Sequence, residues 1–177
     1  MDYTQERVAP LHDFGDADPT APVERAVVVV PMTDREYGGL AAEGVLGALE
    51  DLSPARVVVP LRAPADRVGA FADWLASFSI PLSVVWCNGP ETERELGARG
   101  LDGETGKGRD VWLGVGLALA DDDAEFVVVH DADARSYEAR HVRKLLYPLS
   151  RGRSFAKAYY ARVENDRLYG RLCRLFY

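Results

Sequence analysis

Two aspartates one residue apart, Asp131 and Asp133, follow the run Val127-Val128-Val129-His130, with Ala132 between them. At the end of a buried strand such a pair can bring two carboxylates to one hard cation, directly or through a water. Mg2+ and Mn2+ favour oxygen ligands and fill the rest of their shells with waters and phosphate oxygens. A metal held there could neutralise a nucleoside diphosphate as it leaves. The alternative is structural, because an aspartate after a strand often caps the next turn or helix. Lys107, the first lysine in the chain, lies between Gly106 and Gly108. Its ammonium could meet a ribose or phosphate oxygen, aided by the N-terminus of a helix starting near Gly108. The other reading of this segment is a solvated glycine-rich turn. Gly103-Glu104-Thr105-Gly106-Lys107-Gly108 is no Walker loop, because its glycine spacing differs and no Ser or Thr follows the lysine. Near the end, Arg167 or Arg171 could grip an anionic acceptor through a guanidinium fork, or could be ordinary solvated helix charge. His130 should point away from Asp131 and pack. His141 is expected at the surface, and Trp86 and Trp112 as packing residues.

These residues need elements to position them. Short β-branched runs over 26–31, 56–61, 82–88 and 125–130 read as strands, and their unbroken valines suggest burial on both faces. Helical patterns fall between and after them, at about 37–51, 64–78, 91–98, 108–121 and 138–150. The alternation predicts an α/β, Rossmann-like fold with a mainly parallel sheet flanked by helices. In such a sheet ligands bind beyond the carboxyl ends of the strands. That is where Val30-Pro31-Met32-Thr33-Asp34-Arg35-Glu36 and the Asp131-Ala132-Asp133 turn both stand. A further strand over 154–163 and an amphipathic helix over 166–177 are expected to follow.

The whole chain has 177 residues, 47% of them apolar, enough for one core. Residues 1–23 read as a flexible leader and 24–177 as the domain. A net charge of −7 argues against a nucleic-acid partner or an anionic-membrane surface. Cys87 and Cys173 lack the spacing of a zinc site or a disulfide scaffold, which fits a reducing, cytoplasmic setting. No apolar run reaches the roughly 20 residues of a transmembrane span. The apolar Leu175-Phe176-Tyr177 ending leads us to expect a truncated chain, with a buried terminal helix as the alternative.

With these motifs in this order, the chain resembles the GT-A glycosyltransferases, in particular the glucosyl-3-phosphoglycerate and mannosyl-3-phosphoglycerate synthases. The resemblance covers about 25–177, through Val30-Pro31-Met32-Thr33-Asp34-Arg35-Glu36, Gly106-Lys107-Gly108, Asp131-Ala132-Asp133 and Tyr169-Gly170-Arg171-Leu172-Cys173-Arg174-Leu175. It implies a GT-A nucleotide-sugar-binding fold that lacks its distal acceptor part. It also implies transfer of a hexose, with retention, from UDP-glucose, GDP-mannose or ADP-glucose to a small anionic acceptor such as 3-phosphoglycerate, with Mg2+ or Mn2+ as cofactor. By the same resemblance Pro31, Met32, Thr33 and either Asp34 or Glu36 line the base and ribose pocket, and Lys107 and Asp131 also meet the nucleotide. Asp131 and Asp133 hold the metal and carry the catalysis. Gly170 and Arg171 bind the acceptor, and Cys173 stands where a hydroxyl residue is usual. The chain departs from the pattern at Arg35, which interrupts the acidic motif, and at Pro60-Leu61-Arg62, which lacks an Asp/Ser cluster. It also has no match for a distal metal-associated His. Two other functions stay open. One is a noncatalytic nucleotide-binding or assembly module, whose apolar C-terminal helix could pair with a partner or a second copy as a homodimer. The other is a sugar-phosphate nucleotidyltransferase, which would normally carry a Gly-rich basic loop directly after its first strand.

Overall fold

The computed structural model describes residues 15–120 and 124–158, and the backbone of Arg162–Glu164 and Arg167–Tyr169. The valine run of β1 (Ala26–Val29) is wholly buried. Pro31 has no N–H to continue a ladder, and the chain resumes extended pairing only at β2 (Met32–Thr33). Both pieces lie on the same edge of β3 (Arg56–Arg62). Val28 pairs with Val57, while Met32 and Thr33 pair with Leu61 and Arg62. The opposite edge of β3 carries β4 (Leu82–Trp86), and β5 (Phe126–Val129) pairs with the free edge of β1. All these pairings are parallel. Taking β1 and β2 as one interrupted line, the order is β4, β3, β1/β2, β5.

Successive strand residues face opposite sides, and the two sides are covered differently. Val28, Val30, Val57 and Val59 pack with buried residues of α1 (Leu40–Leu52), α2 (Ala65–Leu75) and α5 (Ala139–Ser150), among them Leu46, Phe71 and Leu146. Val27, Val29 and Val58 pack with Ala118 of α4 (Lys107–Leu119). Complete burial of each such Val or Leu contributes on the order of 1.5–3 kcal/mol. α4 comes unusually close to the sheet at Gly114. A Cβ there would lie 2.3 Å from Pro60 Cγ and 2.8 Å from Val29 Cγ1. The short α3 (Pro90–Ala98) follows β4 and starts on Pro90, a residue pre-set for a first helical turn.

The first four expected strands and the five helices fall where periodicity puts them, and the described residues after α5 do not. Of the strand expected over 154–163, residues 154–158 are irregular, and pairing begins at β6 (Arg162–Glu164). Of the helix expected over 166–177, Arg167–Tyr169 instead form β7, antiparallel to β6 with Val163 opposite Leu168, while 166 and 170–177 lie outside the described residues. Trp112, expected to pack, is 53% exposed on α4. In the expected leader, Gly15 accepts from Lys144 Nζ, and Asp18 accepts two hydrogen bonds from Arg143, so 15–18 lies along α5. Among the described residues no helix is long and apolar enough to cross a membrane.

Candidate functional site

The chain runs outward from β1 to β3 and β4, then returns through α4 to β5 on the other side of β1. The order of strands therefore reverses at β1, and the crevice between the ends of β1 and β5 is the topological switch point of the sheet. The ladder of β5 persists through His130, whose N–H donates to Val29 O at 3.0 Å. Asp131 is the next residue, released from the sheet at the crevice. Lys107 is the first residue of α4, and its Nζ donates to Asp131 Oδ1 at 2.5 Å.

A small cleft of about 120 Å3 opens here, lined by Pro31, Met32, Thr33, Glu36, Arg62, Lys107, Asp110, Ala132 and Asp133. It is too small to enclose a nucleotide sugar, so such a ligand would lie mostly across the open strand ends. Pro31, Met32, Thr33, Glu36, Lys107 and Asp133 thus share one cleft, and Asp131 joins them through Lys107. Asp34 is not among the lining residues. Glu36 is, and its Oε2 accepts from both Thr33 N (2.6 Å) and Thr33 Oγ1 (2.7 Å), closing a capping box around the 3-10 turn Asp34–Glu36. Gly170, Arg171 and Cys173 lie outside the described residues.

Four residues at the cleft or just behind it, Arg62, Asp110, Arg109 and Asn88, carry polar contacts that the motifs did not signal. Arg62, at the end of β3, donates through Nε to Asp110 Oδ2 at 2.9 Å, and Asp110 is 2% exposed. Asp110, Gly114 and Ala118 form the buried stripe of α4, so a charge among small residues at helical spacing was the available clue. Arg109 reaches backwards. It donates to Glu93 with both terminal nitrogens, and also to Cys87 O and Gly103 O, tying the start of α4 to α3 and to the exit of β4. This guanidinium holds the Glu93 carboxyl below the usual carboxylate range. Asn88 closes the same region by accepting from Ala63 N and donating to Ala63 O.

His130 packs edge-on against Tyr137 at 5.0 Å between ring centroids. Burial, with the charge of His141 adding, pushes the His130 pKa down to about 4. It stands neutral behind the acidic turn, as its strand position predicts. His141 is half-buried rather than superficial, and its Nδ1 accepts from Glu138 N at the start of α5.

Asp131 and Asp133 are both exposed and supply hard oxygen donors suited to Mg2+ or Mn2+. The ammonium of Lys107 already stands at Asp131 Oδ1, showing that the turn attracts positive charge from outside. Among the described residues no group of three His, Cys, Asp or Glu side chains converges. The turn thus presents two carboxylates and, among the described residues, no third such ligand beside them. A broader depression of about 430 Å3 on α3, lined by Glu91, Thr92, Arg94, Glu95, Leu96 and Leu113, includes none of the motif residues.

No family model matches the chain. It is 32% identical over 160 residues to a glucosyl-3-phosphoglycerate synthase of Persephonella marina, covering 85% of the chain and 40% of that protein. It is 29% identical over 197 aligned positions to a glucosyl-3-phosphoglycerate synthase of Methanococcoides burtonii, covering 99% of the chain and 48% of that protein. The chain spans less than half the length of these two relatives. Among solved structures, 4-diphosphocytidyl-2C-methyl-D-erythritol synthase from Anaerococcus prevotii superposes with a TM-score of 0.50 at 14% identity, over 83% of this chain and 64% of that one. At that identity the likeness speaks for the α/β fold alone. The two sequence relatives agree in name with the resemblance carried by the motifs, over the part of their length that the chain spans.

Proposed function

We propose that this chain is the nucleotide-sugar-binding part of a cytoplasmic glycosyltransferase that moves a hexose, with retention, to a small anionic acceptor such as 3-phosphoglycerate. The observation that carries the reading is the convergence at the switch point. Lys107 meets Asp131 there, and Asp133 shares a cleft with Pro31, Met32 and Thr33. The names of the two sequence relatives give the reaction class.

On this reading Asp131 and Asp133 hold Mg2+ or Mn2+, which when bound supplies positive charge against the diphosphate leaving group. Lys107 adds an ammonium donor on the same side, with the N-terminus of α4 behind it. Pro31, Met32 and Thr33 form the wall for base and ribose, and the Glu36 carboxylate keeps Thr33 in its turn. Gly170 and Arg171, with Cys173 beside them, take the acceptor's carboxylate or phosphate. Retention calls for no side chain to activate the acceptor hydroxyl from the far face of the sugar.

Calorimetric titration with UDP-, GDP- and ADP-glucose, with and without Mn2+, tests the proposal. At least one donor should bind, more tightly with Mn2+, and Asp133→Ala should abolish the Mn2+ effect. Equal binding by Asp133→Ala and the parent, or no binding by any donor, would sink the reading.

A further inference from the structure

We propose that Arg109 is a positioning residue for Lys107: held by Glu93 of α3, it fixes the first turn of α4 so that an incoming diphosphate meets the ammonium already in place. The inference rests on the nucleotide-sugar reading and adds to it the residue pair that prepares the site.

The start of α4 is built against helix preference. Gly106 stands at the N-cap with no side-chain hydrogen bond, and Lys107-Gly108-Arg109 follow it. A helix begins with N–H groups that lack partners and with the positive end of its dipole, so a cap oxygen and acidic residues favour it there. Two cations do the reverse, and a glycine between them weakens the turn further. The pair of Lys107 with Asp131 lies in solvent and does little to hold it.

Two side chains of this turn reach outward and anchor it. Asp110 takes Arg62, and Arg109 makes the larger set of contacts. Its side chain is 8% exposed, which suits a cation only when it is paired. Nη1 donates to Glu93 Oε2 and to Gly103 O, both at 3.2 Å, while Nη2 donates to Glu93 Oε1 and, at 3.1 Å, to Cys87 O. One planar group thus joins α3, the exit of β4 and the loop before α4, with a charge-assisted fork at its centre. Arg109 comes two residues after Lys107, about 200° around the helix. It pins the side of the turn opposite Lys107, so a rotation that carries the ammonium from Asp131 must break bonds at Arg109. Arg109 is not among the residues that line the cleft. Its effect on a ligand therefore passes through the turn it holds.

Calorimetric titration with UDP, GDP and ADP in the presence of Mn2+ finds the nucleotide that the parent binds most tightly, and a double-variant cycle with that nucleotide is the test. Lys107→Met alone should weaken binding by roughly tenfold or more, as expected for loss of a charge-assisted hydrogen bond. Arg109→Gln should weaken it by about threefold to tenfold in the parent but by less than about twofold in the Lys107→Met background, because the ammonium through which it acts is gone. Glu93→Gln keeps an oxygen acceptor for Arg109 and removes the charge. It should show the same pattern with a smaller loss, and it serves where Arg109→Gln misfolds. A merely structural role would lower affinity by the same factor in both backgrounds, and that result would overturn the inference. Parent-like binding by Lys107→Met, or by both Arg109→Gln and Glu93→Gln, would overturn it too. A parent that binds none of the three nucleotides would take down the nucleotide-sugar reading together with this one.

Discussion

Lys107 and Asp131 are 60% and 48% exposed, so their ion pair adds little to folding, and its weight falls on whatever ligand enters the crevice. The opposite holds for Cys87, three residues before α3. Its thiol is fully buried and donates weakly to Val85 O. Burial first, then the charge of Asp110, pushes its pKa up from the usual 9.0 to about 12. The sign follows from proton counting. Between about pH 9 and 12 the unfolded chain has released this proton and the folded one has kept it, so stability falls as pH rises through that window. Urea midpoints measured at pH 8 and pH 10.5 should therefore drop more steeply in the parent than in Cys87→Ala. In a Cys173→Ser background, the native thiol should resist a disulfide reagent at pH 8 and react once urea is added. Rapid labelling of the folded protein would contradict this assignment.

Among the elements, α4 depends most on a single residue. Gly114 leaves no space between the helix and the strands beneath it. A methyl group there would overlap Pro60, whose ring is part of β3, and Val29 at the end of β1. Gly114→Ala should cost about 1–3 kcal/mol by overpacking, read as a lower urea midpoint, whereas Gly116→Ala, with open space around it, should be neutral or mildly stabilising. Element positions were legible wherever apolar period and length agreed, as in the valine runs of β1, β3 and β5 and the patterned helices. The gap at Val30-Pro31 was hidden because pairing of Met32 and Thr33 depends on how far β3 extends, which no local pattern encodes. At Arg167–Tyr169 the helical spacing of Leu168 with Leu172 and Leu175 predicts a helix where β7 pairs with β6 instead. Pairing partners outweighed that local signal.

For the whole molecule, the alternation of strands and helices was enough to place the crevice, since a parallel sheet binds ligands at its carboxyl edge. That placed Pro31–Thr33, Lys107 and the acidic turn on one side of the domain. The alternation did not reveal that Arg62 and Asp110 meet there, because their contact joins a strand end to a helix 48 residues later. The two read separately as an edge charge and a helix charge. If the crevice binds a nucleotide sugar only when the chain is folded, ligand must stabilise the whole fold by mass action. At a hundredfold excess over Kd the gain is about 2.7 kcal/mol. A thermal melt with saturating donor and Mn2+ should shift upward by several degrees in the parent and by much less in Asp133→Ala. Equal melts with and without donor would contradict a folded-state site.

The contact at Gly114 also works as a gauge. A helix advances about 100° per residue. If α4 gained or lost one residue between Lys107 and Gly114, its bare patch would still be the part that fits over Pro60. The ammonium would then swing about a quarter of a turn or more away from Asp131. Extra residues in the loop before Gly106 would leave that angle untouched. Length variation should accordingly be tolerated on one side of Lys107 and forbidden for the seven residues on the other.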